Sequence, residues 1–410
     1  MIAPRRYTLV TTGNVSTTPR LVKAADALTA AGHRVRVVAL TAMPVHERAD
    51  AAVMASRGWE LVRVDVRHGT LRGAVRRGWH GVRQWGARLA WGMGFRRAAL
   101  ADRVVSRYLD LLARAAGAAP ADVVIGHTLG ALPVAARAAR ALGAALAFDS
   151  EDLHSEELPA TPEHARARAV VGAVEARYLP RCRYVTASAD GIADALAERY
   201  GLARPAVVLN TFPLADRPAR MSPRRRPAMA SLYWYSQLIG AGRGLEDALD
   251  ALALLDGRAT LHLRGRMDPS YRAAFDARVG ALRLGDRVQV HDVVSPPELV
   301  RVAAEHDIGL ALEQPHAMNR ELCVTNKLCT YLLAGLAVVA TDTRGQRGIL
   351  ADAPGAGVLY PPGDAPALAR ALAHLIESPD ALRRAQGAAR AAAERRYAWE
   401  HDAPRLVSYL

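Results

Sequence analysis

Gly240, Gly242 and Gly244, with Arg243 among them, follow an apolar run and open a helical pattern in SLYWYSQLIGAGRGLEDAL, residues 231–249. Glycines let a bulky oxyanion approach the backbone, a helix N-terminus supplies free N–H groups, and an arginine can grip a phosphate through two parallel hydrogen bonds. A tight β–α turn with a solvated arginine would look the same. A second helix start, Thr325-Asn326-Lys327, lies in ALEQPHAMNRELCVTNKLCTYLLAGLAVVAT, residues 311–341, behind a polar loop that carries Glu313 and Glu321. Helix N-termini accompanied by Arg243 and Lys327 suit a diphosphate. Thr325 is the expected N-cap, its hydroxyl accepting a backbone N–H, and Gly335 the expected left-handed C-cap. In the first half of the chain, Gly13-Asn14-Val15-Ser16 follows a strand, His127 follows another, and Asp149, Glu151, Asp152 and His154 crowd the end of a third. Each of these is also an ordinary cap or turn residue.

The elements that must position these residues alternate. Strands read at Tyr7 to Thr12, Val35 to Leu40, Leu61 to Val66, Val123 to Ile125, Ala145 to Asp149 and Tyr184 to Ser188, with helices between them. A second series starts at Ser231 to Tyr235 and runs through Thr260 to Arg264, Val288 to His291, Ile308 to Leu312 and Ala337 to Thr341. Strands that alternate with helices predict an α/β fold with parallel, doubly wound sheets. Pro213, Pro218, Pro223 and Pro227, with Arg224 to Arg226, mark a linker. The expected organisation is an N-terminal Rossmann-like domain over 1–212, a linker over 213–229, and a C-terminal Rossmann-like domain over 230–385. A final helix over 386–410 packs back on the first domain, and the two domains face a central cleft.

Length agrees: 410 residues exceed one ordinary core. Apolar residues at 51% and charged residues at 23% are the balance of a globular protein. No run of about twenty apolar residues occurs, so no transmembrane helix is expected. The N-terminus carries only a short apolar run that reads as a strand, which does not resemble a secretory signal. Cys182, Cys323 and Cys329 are too few and too irregularly spaced for a disulfide framework or a zinc site, and a reducing cytoplasm suits them.

The net charge of +14 is carried mostly by arginine. From Arg67 to Ala101 no acidic residue occurs, while Arg72, Arg76, Arg77, Arg83, Arg88, Arg96 and Arg97 are interleaved with Trp79, Trp85 and Trp91. Val82, Trp85, Leu89 and Met93 keep helical spacing. The segment reads two ways: as a basic amphipathic helix on an anionic membrane surface, or as a solvated helical face with its tryptophans in the core. No nucleic-acid module accompanies the charge, so no nucleic-acid partner is expected.

WYSQLIGAGRGLEDALDAL, DIGLAL and TNKLCTYLLAGLAVVAT together resemble the C-terminal half of the retaining glycosyltransferases of the large family 4 group, which have the GT-B fold. VVLN at 207–210 is similar to the end of that group's first domain, and FDSEDLHSEE at 148–157 to its acceptor-side loop. The resemblance implies sugar transfer from a nucleoside diphosphate sugar to a hydroxyl acceptor with retention, the leaving phosphate assisting the acceptor proton. It implies no metal and no cofactor beyond the sugar nucleotide as co-substrate. Arg243, Lys327 and the helix starts at Gly244 and Asn326 would stabilise the leaving diphosphate. Gly13, Gln237, Gly242, Gly244, Arg266, Glu313, Asn326 and Thr330 form the expected donor side, with Glu313 or Glu321 reading sugar hydroxyls. Glu151 or His127 would lie near the reacting sugar, and Asn14, Asp149, Asp152 and His154 on the acceptor side.

The chain departs from the group's pattern. Gln237 stands where an arginine is usual, Arg243 where a lysine is usual, Thr330 where a glutamate would hold the ribose, and Glu151 where a histidine is usual. The basic tryptophan-bearing segment suggests a lipid-linked or membrane-bound saccharide acceptor and a cytoplasmic protein peripheral to the membrane. Sugar-nucleotide epimerases and inverting transferases share the scaffold. Gln237 and Thr330 also fit a non-catalytic sugar-nucleotide-binding protein.

Overall fold

The computed structural model describes residues 3–218 and 229–409. The chain divides into two compact units, Met1–Val208 with Ala403–Leu410, and Leu209–Asp402. Residues 219–228, most of the expected linker, lie outside the described residues.

The first unit is built on strands β1 (Arg6–Thr11), β2 (Arg34–Thr41), β3 (Glu60–Asp65), β4 (Val123–His127), β5 (Ala145–Ser150), β6 (Tyr184–Ala187) and β7 (Ala206–Val207). They form one sheet in the order β3-β2-β1-β4-β5-β6-β7, paired in parallel. The second unit has β8 (Ala230–Ile239), β9 (Ala259–Met267), β10 (Val288–His291), β11 (Ile308–Ala311), β12 (Ala337–Thr341) and β13 (Gly357–Tyr360). Their order is β10-β9-β8-β11-β12-β13, again parallel. Every residue of β4, β11 and β12 is buried, as expected where helices cover both faces of a parallel sheet. In each sheet the strand order reverses beside the unit's first strand, between β1 and β4 and between β8 and β11. Connections leave such a point in opposite directions and open a crevice at the carboxyl ends of the strands.

The alternation read from the sequence is the architecture found. Periodicity does not reveal β13 or the helix Arg344–Asp352 that precedes it. That helix carries arginine and glycine at most of its exposed positions and buries only Gln346, Ile349 and Leu350. Glu321, expected in a loop, lies on the short helix Met318–Leu322.

Packing against β11 is set by one absent side chain. Tyr331, on the helix Asn326–Ala334, is fully buried and donates its hydroxyl to the Leu310 carbonyl at 3.1 Å. Its ring lies over Gly309, where a Cβ would sit 2.3 Å from the ring's Cγ. The helix then stops at Gly335, whose φ of 77° is left-handed. Gly309→Ala is therefore expected to force the helix outward at a cost of about 1–3 kcal/mol. That corresponds to a melting temperature lower by roughly 2–12 °C. Thermal unfolding followed by circular dichroism measures this, and an unchanged transition would remove Gly309 as the packing constraint.

Candidate active site

In the second unit, β8 ends at Ile239 and the helix Leu245–Leu254 begins after five intervening residues. Gly244 is its N-cap with φ of 72°, and a Cβ there would lie 2.4 Å from the Leu312 carbonyl oxygen. Only glycine meets both conditions. The close approach seats the loop against the end of β11, on the reversal point of the sheet. Gly242 faces open space, and Gln237 and Arg266 are exposed on neighbouring strands, Gln237 within the register shift between Tyr235 and Leu238.

Arg243 is half-buried, and no hydrogen bond or ion pair holds it among the described residues. Burial first, and then the nearby Arg320, lower its pKa, while Glu313 raises it. A guanidinium in that condition gains from an added anion.

Glu313 follows β11 and is buried. Its carboxylate accepts from the Lys327 ammonium and from Arg320 Nη1, the latter at 3.2 Å. Burial alone would raise its pKa, yet Lys327, Arg320 and Arg243 outweigh burial and hold it at about 2. Lys327 is itself buried, with its Nζ 5.6 Å from the centroid of the Trp234 ring and 3.4 Å from the Thr325 hydroxyl. Arg243, Arg320 and Lys327 thus surround the Glu313 carboxylate.

Several residues singled out from the sequence are spent on internal bonds. Thr325 occupies the N-cap, but its hydroxyl takes the Lys327 ammonium and makes no cap bond. Thr330 is fully buried, its hydroxyl donating to the Asn326 carbonyl at 2.9 Å and sharing a bond with Tyr235 at 2.7 Å. Glu321 accepts the Arg344 N–H at 3.0 Å, closing the start of the helix Arg344–Asp352. Asn326, at the first position of its helix, is half-buried.

The first unit also centres on a buried carboxylate. Asp149, at the end of β5, is buried and receives a bidentate pair from Arg20, Nε and Nη2 each at 2.7 Å. His127 Nδ1 lies 3.1 Å from the same carboxylate, and Thr186 also donates to it. Burial opposes ionisation, but Arg20 and His127 prevail and hold the Asp149 pKa far below the usual carboxylate range. Because the carboxylate only accepts, a neutral His127 carries its proton on Nδ1, leaving Nε2 as a lone pair. That Nε2 is buried without a hydrogen-bond partner among the described residues. The next residue, Thr128, has φ of 74°, strained for a β-branched side chain. Arg20 has no signal in its local sequence. Its role emerges only from a pairing across 129 positions.

Around them, Asn14 donates to the Leu40 carbonyl at 3.0 Å, and the Gly13 N–H bonds Thr11. Burial, opposed by Arg20, raises the Glu151 pKa. Burial would lower the His154 pKa, but its bond to Glu157 dominates and takes it to about 9. Asp152, His154 and Glu157 each bring a ligand atom within 4.8 Å of the others.

Residues 231–378 match the family model described as glycosyl transferases group 1. No curated protein matches the chain. Among solved structures, sucrose-phosphate synthase from Thermosynechococcus elongatus superposes with a TM-score of 0.72 at 14% identity, covering 98% of each chain. Anabaena HepE in complex with UDP and glucose gives 0.70 at 16% identity, again covering 98% of each. S. aureus TarM, as a G117R mutant in complex with Fondaparinux, alpha-GlcNAc-glycerol and UDP, gives 0.71 at 8% identity over 99% of each. The chain therefore has the GT-B fold of these glycosyltransferases, and its residues 231–378 carry the glycosyl transferases group 1 domain.

The ionised form of Glu313 is stabilised in the folded state, so its contribution is complete above pH 4.5 and disappears as pH falls through about 2. Glu313→Gln is expected to destabilise the protein at neutral pH by about 3–5 kcal/mol, because Lys327 is left buried and unpaired. The variant's stability should also fall less steeply than the parent's between pH 4.5 and 2. Urea unfolding at a series of pH values tests both points, and parallel curves would refute the pairing.

Proposed function

We propose that this glycosyltransferase moves a sugar from a nucleoside diphosphate donor to a hydroxyl of a saccharide acceptor, with retention at the anomeric carbon. The observation that carries the donor reading is Arg243, a half-buried guanidinium at a glycine-bearing helix start that no hydrogen bond or ion pair holds among the described residues. A diphosphate is anionic and can pair with Arg243 through charge-assisted hydrogen bonds. The UDP and glucose bound in HepE support the same reading.

Departure of the nucleoside diphosphate is the hard step, and its growing charge must be met by groups already in place. Arg243 and the free N–H groups at the start of Leu245–Leu254 can do this directly. Lys327 acts through Glu313: it keeps the carboxylate ionised and fixed, so that its remaining acceptor capacity can meet sugar hydroxyls. Glu321 and Thr330 are positioning residues in this scheme, one closing a helix start and the other joining helix to strand. His127, held by Asp149, offers its unpartnered Nε2 to a hydroxyl. Retention rests on the resemblance to the family 4 group, with the leaving phosphate taking the acceptor proton. Cys182, Cys323 and Cys329 form no disulfide among the described residues, which suits a reducing compartment.

Arg243→Ala is expected to lower turnover by about a hundred- to a thousandfold. The donor is found first by a thermal-shift screen against UDP-, GDP-, ADP- and TDP-sugars, since a ligand that binds the native state raises the melting temperature. No shift with any of them would count against the donor reading, and near-normal transfer by the variant would remove Arg243 from the mechanism. The coupling of the anomeric proton in the product, read by NMR, decides retention against inversion.

A further inference from the structure

The segment without acidic residues is organised as one helix, Leu71–Gly92, and the helix is set the opposite way to a normal surface helix. An amphipathic helix on a globular protein turns its apolar stripe inward. Here Leu71, Val75, Trp79, Val82, Trp85 and Leu89 are exposed, from 48% for Leu89 to 84% for Leu71. Their spacing of four, four, three, three and four residues places them within an arc of roughly 120°. The opposite face, at Gly73, His80, Ala87 and Trp91, is buried.

The rotation of the helix is locked from behind. Arg76 Nη1 donates to the Asp65 carbonyl at 2.7 Å, Arg83 pairs with Asp110, and Gln84 donates to the Val104 carbonyl at 2.9 Å. Arg107 reaches the Arg77 carbonyl at 2.7 Å. These bonds leave the apolar arc no way to turn into the unit. Arg72 and Arg88 flank the arc on its two sides and are exposed, and Arg97 follows beyond the helix end. Both alternatives read from the sequence are thus partly realised: Trp91 lies in the core, while Trp79 and Trp85 stand outside it.

We propose that the outward face of Leu71–Gly92 is a docking surface for an anionic lipid bilayer, its apolar arc entering the headgroup boundary and Arg72 and Arg88 meeting lipid phosphates. Charge complementarity selects this occupant. A second copy docking through the same two-fold face would set arginines against arginines, with no acidic residue between Arg67 and Ala101 to pair them. Trp79 and Trp85 lie at the two edges of the arc, where an indole can keep its ring in acyl chains and its N–H among headgroups. No helix among the described residues is long and apolar enough to cross a membrane, so the contact lies in the membrane plane. The inference stands apart from the sugar-transfer reading, because it uses no residue of the donor or acceptor sites.

The test is co-sedimentation of the full chain with vesicles of phosphatidylcholine, with and without phosphatidylglycerol. Binding should require the anionic lipid, weaken with added salt, and shift tryptophan emission to the blue. Arg72→Glu with Arg88→Glu, and separately Trp79→Asp with Trp85→Asp, should each reduce partitioning at least about tenfold. Both pairs are exposed, so thermal unfolding should match the parent and exclude misfolding. Arg76, Arg77 and Arg83 are unsuitable targets, because they anchor the helix. Absence of binding to anionic vesicles overturns the proposal. So does binding that survives the aspartate pair, which would mean charge attraction alone. A salt-stable dimer abolished by the same aspartates would assign the face to a second copy.

Discussion

A parallel strand can be joined to its neighbour only by a crossover, and because the strands run parallel every carboxyl end lies at the same edge of the sheet. Everything chemical in this chain follows from that constraint. Where strand order reverses, between β1 and β4 and between β8 and β11, the connections diverge and open a crevice at the carboxyl ends of the strands. The glycine loop with Arg243 follows β8 and Glu313 follows β11, while Asn14 follows β1 and His127 ends β4. The residues with chemistry sit where the topology leaves room for a ligand.

Room alone would fill with water, and the two crevices differ from ordinary surface clefts in holding buried charge. Glu313 with Lys327 and Asp149 with Arg20 both bury ions, which is unfavourable unless geometry and extra hydrogen bonds compensate. Here each carboxylate is met by more than one donor, so both stay ionised despite burial. The consequence is rigidity. Glu313 is oriented by Lys327 and Arg320, and His127 by an Asp149 that Arg20 has already immobilised. Fixed dipoles and charges of this kind do not have to reorganise as charge develops, which is how such sites lower a barrier.

The helix Leu71–Gly92 follows a different logic. Elsewhere most large apolar residues of each unit pack into sheet and helix cores. This helix instead attaches through Trp91 and its polar and small residues and turns Leu71, Val75, Trp79, Val82, Trp85 and Leu89 to solvent. A monomeric soluble protein seldom presents so continuous an apolar strip. Its attachment through arginine and glutamine to backbone carbonyls explains how the inverted setting is held.

Local pattern determined a good deal. Strand and helix alternation, the glycine-bearing helix start at Gly244, the left-handed stop at Gly335 and the basic amphipathic helix were all legible, because each depends on residues within a few positions of one another. Partner choice was not. Lys327 and Thr330 look like ligand contacts in the sequence, yet folding turns Lys327 onto Glu313 and Thr330 onto Tyr235, and Glu321 onto the Arg344 N–H. Arg20 gave no local sign of holding Asp149. Periodicity could show that the helix Leu71–Gly92 has an apolar face but not which way that face points. Direction and pairing are set by distant strands and loops, through contacts between residues far apart in the chain. Sequence order therefore decided which elements form, and only tertiary packing decided which charges remained free to meet a ligand.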